Sequence, residues 1–189
     1  MHTDVSSASS TPKVSFSIRL ATPEDAPRLL EIYAPYVTDT AITFEYDIPS
    51  LEEFRSRIIN TLSKYPYLVA ESEGRILGYA YAGVFKARAA YNHCVETSIY
   101  VDMSEHKKGI GSALYAELEK RLLAQGILNS NACITWNEME DEYLTHQSPE
   151  FHAKHGYVRV AHFHKCGYKF GRWYDMIWME KLIGEHPTT

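Results

Sequence analysis

The stretch at residues 101–112, VDMSEHKKGIGS, decides how the rest of the chain is interpreted. It runs from the end of a predicted strand through a glycine turn into an amphipathic helix. Gly109 and Gly111 let the backbone approach a ligand closely, and the first N–H groups of a helix have no intrahelical acceptors. Lys107 and Lys108 add positive potential beside them. The pattern therefore predicts an anion-binding site at a helix N-terminus.

The order of residues in this loop excludes two nucleotide-binding motifs. A Walker loop needs Gly-Lys followed by Ser or Thr, but here both lysines precede the first glycine. A dinucleotide fingerprint needs a third glycine at position 114, which is Leu114. The structural alternative is a helix start whose glycines serve only tight packing, so the context of the loop has to decide.

The amino-acid composition limits the class of protein to which this chain can belong. The chain has 189 residues, 45% of them hydrophobic and 23% charged, which suits one soluble globular domain. A net charge of -5 argues against a general nucleic-acid surface. The apolar runs are far shorter than the ~20 residues that cross a bilayer, so no membrane span is expected.

Three cysteines, an odd number without scaffold spacing, indicate reduced thiols and a cytoplasmic protein. Residues 1–15 are rich in Ser and Thr and lack the apolar stretch of a secretory signal. We expect them to form a disordered tail, followed by one domain at 16–184 and a short C-terminal tail at 185–189.

Hydrophobic periodicity and capping signals predict an alternation of strands and helices. The predicted strands are 16–20, 67–71, 76–85, 93–102, 131–136, 157–164 and 173–182. Helices are predicted from a Thr22 cap, from a Ser50 capping box, and over 109–125 and 149–154. This order predicts a single α/β domain, of mixed α+β type, with helices on both faces of a mixed sheet.

Several separated segments match one family in chain order. Besides the glycine loop they are Thr43-Phe44-Glu45 and the stretches 86–91, 95–101, 152–157 and 167–175. Over residues 16–182 the chain resembles the GNAT superfamily of N-acetyltransferases, in particular its phosphinothricin or methionine-sulfoximine acetyltransferase branch. The family loop has the form Gln/Arg-x-x-Gly-x-Gly/Ala, and His106 stands at its first position.

The resemblance implies a mostly antiparallel mixed sheet, splayed between its fourth and fifth strands around the pantetheine arm of acetyl-CoA. The strand residues that match the arm-binding segment are Ile99, Tyr100 and Val101, and the pyrophosphate cradle matches Lys107, Lys108, Gly109, Ile110, Gly111 and Ser112. Ser148 matches a further cofactor position. The family's cofactor-contacting Asn is replaced by Thr145, so either Asn137 takes its place or the contact is absent.

The chemistry of acetyl transfer needs a neutral amine, and an alkyl ammonium is mostly protonated at neutral pH. Glu96 matches the family's glutamate at the acceptor end and is the expected base; its alternative is a surface ion pair. His152 either gives a proton to the leaving thiolate or packs beside the cofactor without a proton role. Both roles stay open at this point.

We expect a positively charged side chain of this protein to bind the carboxylate of the acceptor. Lys86 and Arg88 lie on the loop before Glu96, with Arg88 favoured because its fork binds carboxylates bidentately; either is alternatively a solvated charge. Tyr91 follows on the same loop. Phe44 matches a position that lines the family's acceptor pocket.

Two further expectations concern metals and assembly. Nine histidines include the pairs His152/His155 and His162/His164, but neither has a Cys or carboxylate partner at a recognised spacing, so no metal is expected. Trp173 is expected to serve structural packing. A homodimer is implied by the resemblance alone.

The resulting hypothesis is an acetyl-CoA-dependent N-acetyltransferase for the amino group of phosphinothricin, methionine sulfoximine or methionine sulfone, acting by direct transfer. One alternative is another amine acceptor, such as a polyamine, an antibiotic or a peptide N-terminus; Lys86 and Arg88 disfavour polyamines. A second alternative is a non-catalytic acyl-CoA-binding module, which the presence of Glu96, Arg88 and Tyr91 disfavours.

Overall fold

The computed structural model describes residues 15–188 and contains seven strands and four helices within that range. The strands are β1 Ser17–Leu20, β2 Tyr67–Ser72, β3 Arg75–Val84, β4 Cys94–Val101, β5 Asn129–Trp136, β6 Val158–Lys169 and β7 Arg172–Leu182. The helices are α1 Ala26–Asp39, α2 Leu51–Leu62, α3 Ile110–Ala124 and α4 Gln147–Lys154. The predicted tail at 1–15 lies outside the described residues except for Ser15.

All strands belong to one sheet in the order β1-β2-β3-β4-β5-β7-β6. Every pairing is antiparallel except β4 with β5, which is parallel. The predicted single mixed α/β domain with a mostly antiparallel sheet is confirmed. No helix within residues 15–188 is long and apolar enough to cross a membrane.

Local signals placed the element ends to within two residues, with two larger exceptions. Ser50 caps α2, since its side chain accepts a hydrogen bond from the Glu53 N–H at 3.1 Å. α1 begins at Ala26, later than the predicted Thr22 cap, because a short 3-10 turn at Pro23–Asp25 comes first. β6 continues to Lys169 rather than ending at 164, after an irregularity between Phe163 and Gly167.

The core is divided by the sheet. On one face α3 buries Leu114, Leu118 and Leu122 completely or nearly so. On the other, α1 and α2 bury Leu29 and Ile58 against β2 and β3. Each such side chain contributes about 1.5–3 kcal/mol of burial. Helices therefore cover both faces, as predicted.

The feature that positions the site is the early end of the β4–β5 pairing. The two strands pair only from Cys94 with Asn129 to Glu96 with Asn131. At that vertex the Thr97 hydroxyl donates to the Asn131 carbonyl at 3.2 Å. Beyond it β4 and β5 diverge, which opens the sheet between its fourth and fifth strands.

Candidate active site

A cavity of about 60 Å³ lies where β4 and β5 separate. Residues of both strands line it, together with α3, α4 and the loop before α4. The lining residues are Ile42, Thr97, Ser98, Ile99, Tyr100, Tyr115, Ala132, Cys133, Ile134, Thr135, Leu144, Ser148 and His152. Its small volume suits a narrow arm of a ligand rather than a whole nucleotide.

The glycine loop precedes α3 at the end of β4. Gly109 has a φ of +81° and is the N-cap of α3, a conformation that favours glycine. A Cβ on Gly111 would lie 3.1 Å from the Phe151 ring and 3.3 Å from Ile99. The Ile110 side chain is buried. The loop therefore presents backbone N–H groups, and the absence of a side chain at Gly111 permits close packing at the helix start.

The basic residues of this loop differ in their surroundings. Lys107 is exposed and has a φ of +64°. Lys108 forms an ion pair with Glu105 at 2.7 Å. His106 is exposed, but its Nε2 lies 3.0 Å from the Tyr36 hydroxyl and 3.2 Å from the Val101 carbonyl. Of these three side chains, Lys107 is the one that remains directed to solvent without an ion pair or hydrogen bond among the described contacts.

The expected cofactor residues on β4 and α4 are brought together only in part. Ile99, Tyr100 and Ser148 line the cavity, whereas Val101 does not. Neither Thr145 nor Asn137 lines it. The Asn137 carbonyl instead lies 2.8 Å from the His146 imidazole Nε2.

Glu96 lies at the vertex of the splay and is half-buried. Burial raises the pKa of its carboxyl above the ordinary value, while the charge of Lys86 opposes that shift. The Lys86 ammonium lies over the rings of Phe85 and Trp178, at 5.0 and 5.6 Å. The structure thus places Lys86 within electrostatic reach of Glu96.

Arg88 and Tyr91 lie further along the same loop. Arg88 is exposed, and its carbonyl accepts a hydrogen bond from the Tyr91 N–H at 3.0 Å. Tyr91 packs against Phe85 and lines a second cavity of about 540 Å³. Cys94 on β4 also lines this second cavity, next to the vertex but outside the first cavity.

His152 is buried on α4 with both ring nitrogens engaged. Its Nδ1 lies 2.7 Å from the Ser148 carbonyl and its Nε2 lies 2.8 Å from the Tyr115 hydroxyl. Since a carbonyl only accepts, Nδ1 carries the proton and Nε2 accepts from Tyr115. Burial lowers the pKa of His152 to about 4, so the imidazole is neutral at pH 7.

Tyr115 is a site residue that the sequence analysis missed. Its hydroxyl also lies 3.5 Å from Thr97, and the Thr97 hydroxyl lies 3.3 Å from Ser130. Burial raises the pKa of Tyr115 well above its ordinary value. The helical period of α3 marks Tyr115 only as an inward position, and the polar network around it becomes visible only in three dimensions.

The β6–β7 hairpin fixes the loop that carries Phe44. A Cβ on Gly167 would lie 2.2 Å from the Phe44 ring, so the close packing of this ring requires glycine there. Lys169 is only 2% exposed, and its ammonium donates to the carbonyls of Val37, Thr40 and Thr43 at 2.8, 2.9 and 2.7 Å. Burial lowers the pKa of Lys169, and this second missed residue fastens the end of α1 to the hairpin.

Trp173, for which structural packing is expected, packs near the start of β7 against one neighbour and lies outside the core. It is 59% exposed, and its ring centroid lies 4.9 Å from that of Tyr168. Both side chains therefore contribute to the surface of the hairpin.

Comparison with known proteins agrees with this geometry. The family model described as "Acetyltransferase (GNAT) domain" matches residues 18–178. The chain belongs to the GNAT acetyltransferase family. It is 35% identical to a phosphinothricin N-acetyltransferase of Streptomyces coelicolor over 172 residues, which cover 88% of this chain and 95% of that one.

Two further similar proteins indicate which branch of the GNAT family this chain resembles. An L-methionine sulfoximine/L-methionine sulfone acetyltransferase of Pseudomonas aeruginosa is 32% identical, with 88% of this chain and 94% of that one covered. A crystal structure of a GNAT superfamily phosphinothricin acetyltransferase from Sinorhizobium meliloti in complex with AcCoA has a TM-score of 0.82 and 34% identity, covering 92% of this chain and 93% of that one. The predicted family and fold are confirmed.

Proposed function

We propose that this GNAT domain transfers the acetyl group of acetyl-CoA directly to the amino group of a small amino-acid-like acceptor, of the phosphinothricin, methionine sulfoximine or methionine sulfone type. The observation that carries the proposal is the splay with Glu96 at its vertex and the glycine loop beyond its open end. Glu96 and Val101 are five residues apart on β4, about 17 Å, a span suited to an extended pantetheine arm. The relatives named above support the acceptor class.

The residues of the loop and of β4 fit acetyl-CoA. The N–H groups of residues 109–112 would hold the pyrophosphate, with Lys107 adding charge. Ile99 and Tyr100, and Ser148 across the cavity, would hold the arm. Lys108 contributes less because Glu105 already pairs with it. When bound, acetyl-CoA supplies a thioester carbonyl that an amine can attack.

In the proposed reaction, Glu96 acts as the general base. Its carboxylate accepts the proton of the acceptor ammonium, directly or through water, and the neutral amine then forms the C–N bond. A backbone N–H of β4 stabilises the developing oxyanion. The C–S bond breaks, and the CoA thiolate leaves and is protonated by solvent. The raised pKa of Glu96 makes it a better proton acceptor than an exposed carboxylate.

We assign His152 a positioning role rather than proton transfer. Its one proton at pH 7 is donated to the Ser148 carbonyl, and its free lone pair accepts from Tyr115. It therefore has no proton directed at the leaving sulfur. The hydrogen bond between His152 and the Tyr115 hydroxyl instead joins α4 to α3 beside the cavity.

We assign the binding of the acceptor's carboxylate to Lys86 and Arg88. The choice of Lys86 is supported by the effect of its charge on the pKa of Glu96. The choice of Arg88 is supported by its exposed position on the loop beside the vertex. Tyr91 and Phe44 are proposed as walls of the acceptor site. Phe44 is held by the Gly167 contact, so its ring is pre-positioned.

A thiol-release assay tests the proposal. Acetyl-CoA is offered with methionine sulfoximine, methionine sulfone, phosphinothricin, free amino acids, a polyamine and a peptide N-terminus. Selective turnover of the first three supports the proposed acceptor class, and preference for one of the others replaces it. Binding of acetyl-CoA without turnover of any amine would favour the binding-module alternative.

A matched pair of variants tests the base. Glu96→Gln keeps the side-chain volume and removes the proton acceptor, so kcat should fall by about 10²–10⁴-fold while the affinity for acetyl-CoA is retained. Glu73→Gln, in the exposed turn between β2 and β3, should match the wild type. Unchanged turnover in Glu96→Gln would remove Glu96 from the mechanism.

We also infer a homodimer in the cytoplasm. On the edge strand β6, Val158 and Phe163 are 60% and 49% exposed, an apolar surface that suits a second copy. The three cysteines are free thiols, which suits a reducing compartment. Light scattering after size exclusion should give twice the mass of one chain, and subcellular fractionation should recover the chain with cytosolic markers.

A further inference from the structure

A second group of polar side chains lies on the β6–β7 hairpin, and none of them lines the cavity between β4 and β5. His162 and His164 are two residues apart on β6. Asp175 lies on β7 two residues before Ile177, which pairs with His162. Because side chains two residues apart share one face of a strand, all three project from the same face of the hairpin.

Their polar atoms converge on one point. The Asp175 Oδ2 atom lies 2.5 Å from His162 Nε2 and 3.2 Å from His164 Nδ1. One possible ligand atom from each of the three residues lies within 4.8 Å of the others, which is the one such group found among residues 15–188. Ligand atoms at about 2.0–2.1 Å from a tetrahedral zinc ion lie roughly 3.3 Å apart. Widening the Asp175–His162 separation by about 0.8 Å would reach this spacing, and the Asp175–His164 separation already matches it.

The surroundings orient the carboxylate and leave an entry path. The second oxygen of Asp175, Oδ1, accepts a hydrogen bond from the Lys165 N–H at 2.7 Å. That bond fixes the carboxylate and leaves Oδ2 facing the two imidazoles, the outer support that metal ligands usually have. The His164 side chain is 75% exposed, so a cation can reach the group from solvent.

The chemistry of the three groups selects the kind of ion. Two imidazoles and one carboxylate suit Zn²⁺ and neighbouring transition metals, whereas Mg²⁺ and Ca²⁺ prefer oxygen ligands throughout. We propose that His162, His164 and Asp175 form a Zn²⁺ site with water as the fourth ligand. The proposal concerns a site outside the acetyltransferase cavity and does not depend on the proposed function.

Loading this site moves the proton of His162 from one ring nitrogen to the other. In the structure Arg159 donates to His162 Nδ1, so the His162 proton lies on Nε2 and is donated to Asp175. Zn²⁺ takes the lone pair of His162 Nε2, and the proton displaced from Nε2 is replaced by one on Nδ1, so the imidazole stays neutral and no proton is released overall. His164 binds in the same way through Nδ1, with its proton on Nε2. Arg159 then keeps its other contact, over the Trp136 ring at 5.2 Å. The bound ion ties β6 to β7, so it should stabilise the folded chain.

The test uses the full, untagged chain after dialysis against a chelator. Calorimetric titration with ZnCl₂ should show one ion per chain with micromolar affinity, and CoCl₂ should give the visible spectrum of a four-coordinate ion. Asp175→Asn, which can still accept from Lys165, and His164→Ala, at an exposed position, should each weaken binding by at least about tenfold. Zn²⁺ should raise the melting temperature of the wild type and not of these two variants.

Two matched controls separate this site from other ligands on the chain. His186→Ala removes an exposed histidine elsewhere, and Cys166→Ser removes an exposed thiol close to His164 in sequence. Both should bind Zn²⁺ like the wild type. Absence of saturable binding overturns the proposal. It is also overturned if His164→Ala and Asp175→Asn bind like the wild type, or if Cys166→Ser abolishes binding.

Discussion

Replacing Lys169 by Met tests whether this buried ammonium fastens the Phe44 loop to the hairpin. Lys169 is 2% exposed and donates to three carbonyls, those of Val37, Thr40 and Thr43. Methionine has a similar length and remains compatible with a buried position, but it removes all three donors. The perturbation therefore acts on the hydrogen bonds more than on packing.

The magnitude follows from two opposing effects. Each carbonyl left without a donor costs about 1–3 kcal/mol, which gives about 3–9 kcal/mol for three. Removing a buried ammonium recovers several kcal/mol of desolvation. We therefore expect Lys169→Met to lower the free energy of unfolding by about 2–4 kcal/mol.

Urea unfolding and steady-state kinetics measure the two consequences. The control is Lys120→Met, whose side chain is 80% exposed on α3 and which should change stability by less than about 0.5 kcal/mol. Lys169→Met should raise KM for the acceptor, because the Phe44 loop is released, and leave KM for acetyl-CoA unchanged. Equal stability of the two variants would refute the role of Lys169, and an equal rise in both KM values would refute its local action on the acceptor side.

Three further predictions concern pKa values and the glycine loop. Lys86→Met removes the charge that lowers the pKa of Glu96, so the acid limb of kcat/KM for the acceptor should move to higher pH. The pKa of His152 is about 4 in the folded chain against an ordinary 6.5, so the unfolded chain binds more protons between these values. The free energy of unfolding should therefore fall by up to about 3 kcal/mol as pH drops from 6.5 to 4, with a shallower slope in His152→Gln by urea titration. Gly111→Val should weaken acetyl-CoA binding by about tenfold or more in calorimetry, because its Cβ would already lie 3.1 Å from Phe151.

Matched controls and contrary outcomes accompany these three predictions. Arg88→Met removes a nearby charge that is not among the groups shifting the Glu96 pKa, so it should leave the acid limb in place; equal movement in both variants would contradict the role of Lys86. Parallel pH slopes for the wild type and His152→Gln would contradict a buried neutral His152. Gly83→Ala is the control, because a Cβ at Gly83 meets nothing within 4 Å, and it should bind acetyl-CoA with normal affinity. Normal affinity in Gly111→Val as well would contradict the proposal that the loop forms the pyrophosphate cradle.

The parts of the fold that local sequence signals predicted correctly are those that depend on neighbouring residues. The Ser50 cap, the turn between β2 and β3 and the glycine start of α3 each involve contacts within a few residues. The start of α1 was predicted too early because the Asp25 carboxylate accepts from the Thr22 N–H and stabilises a 3-10 turn first. The extension of β6 was missed because it depends on pairing with β7 after an irregularity.

The residues of the candidate site also differ in whether a local sequence signal marks them. The glycine loop is visible in the sequence because a strand-to-helix turn carries it in a short stretch of chain, whereas Glu96 was singled out by the resemblance to the family and its role stays a prediction. Tyr115 was missed because its partner His152 lies 37 positions away, and Lys169 because its acceptors lie about 130 positions away. Contacts at such separations have no local signal in one sequence.

The sequence by itself determined the strand and helix order, the glycine loop before α3 and the family, because these rest on periodicity, capping and ordered motifs. Tertiary structure alone decided where β4 leaves β5, that His152 is held neutral, and that Lys169 is enclosed by carbonyls. It also brought Asp175 to His162 and His164, the carboxylate that no spacing in the sequence supplied. The physical reason is that protonation and ligand geometry depend on burial and on atoms contributed by distant parts of the chain, which only the packed sheet brings together.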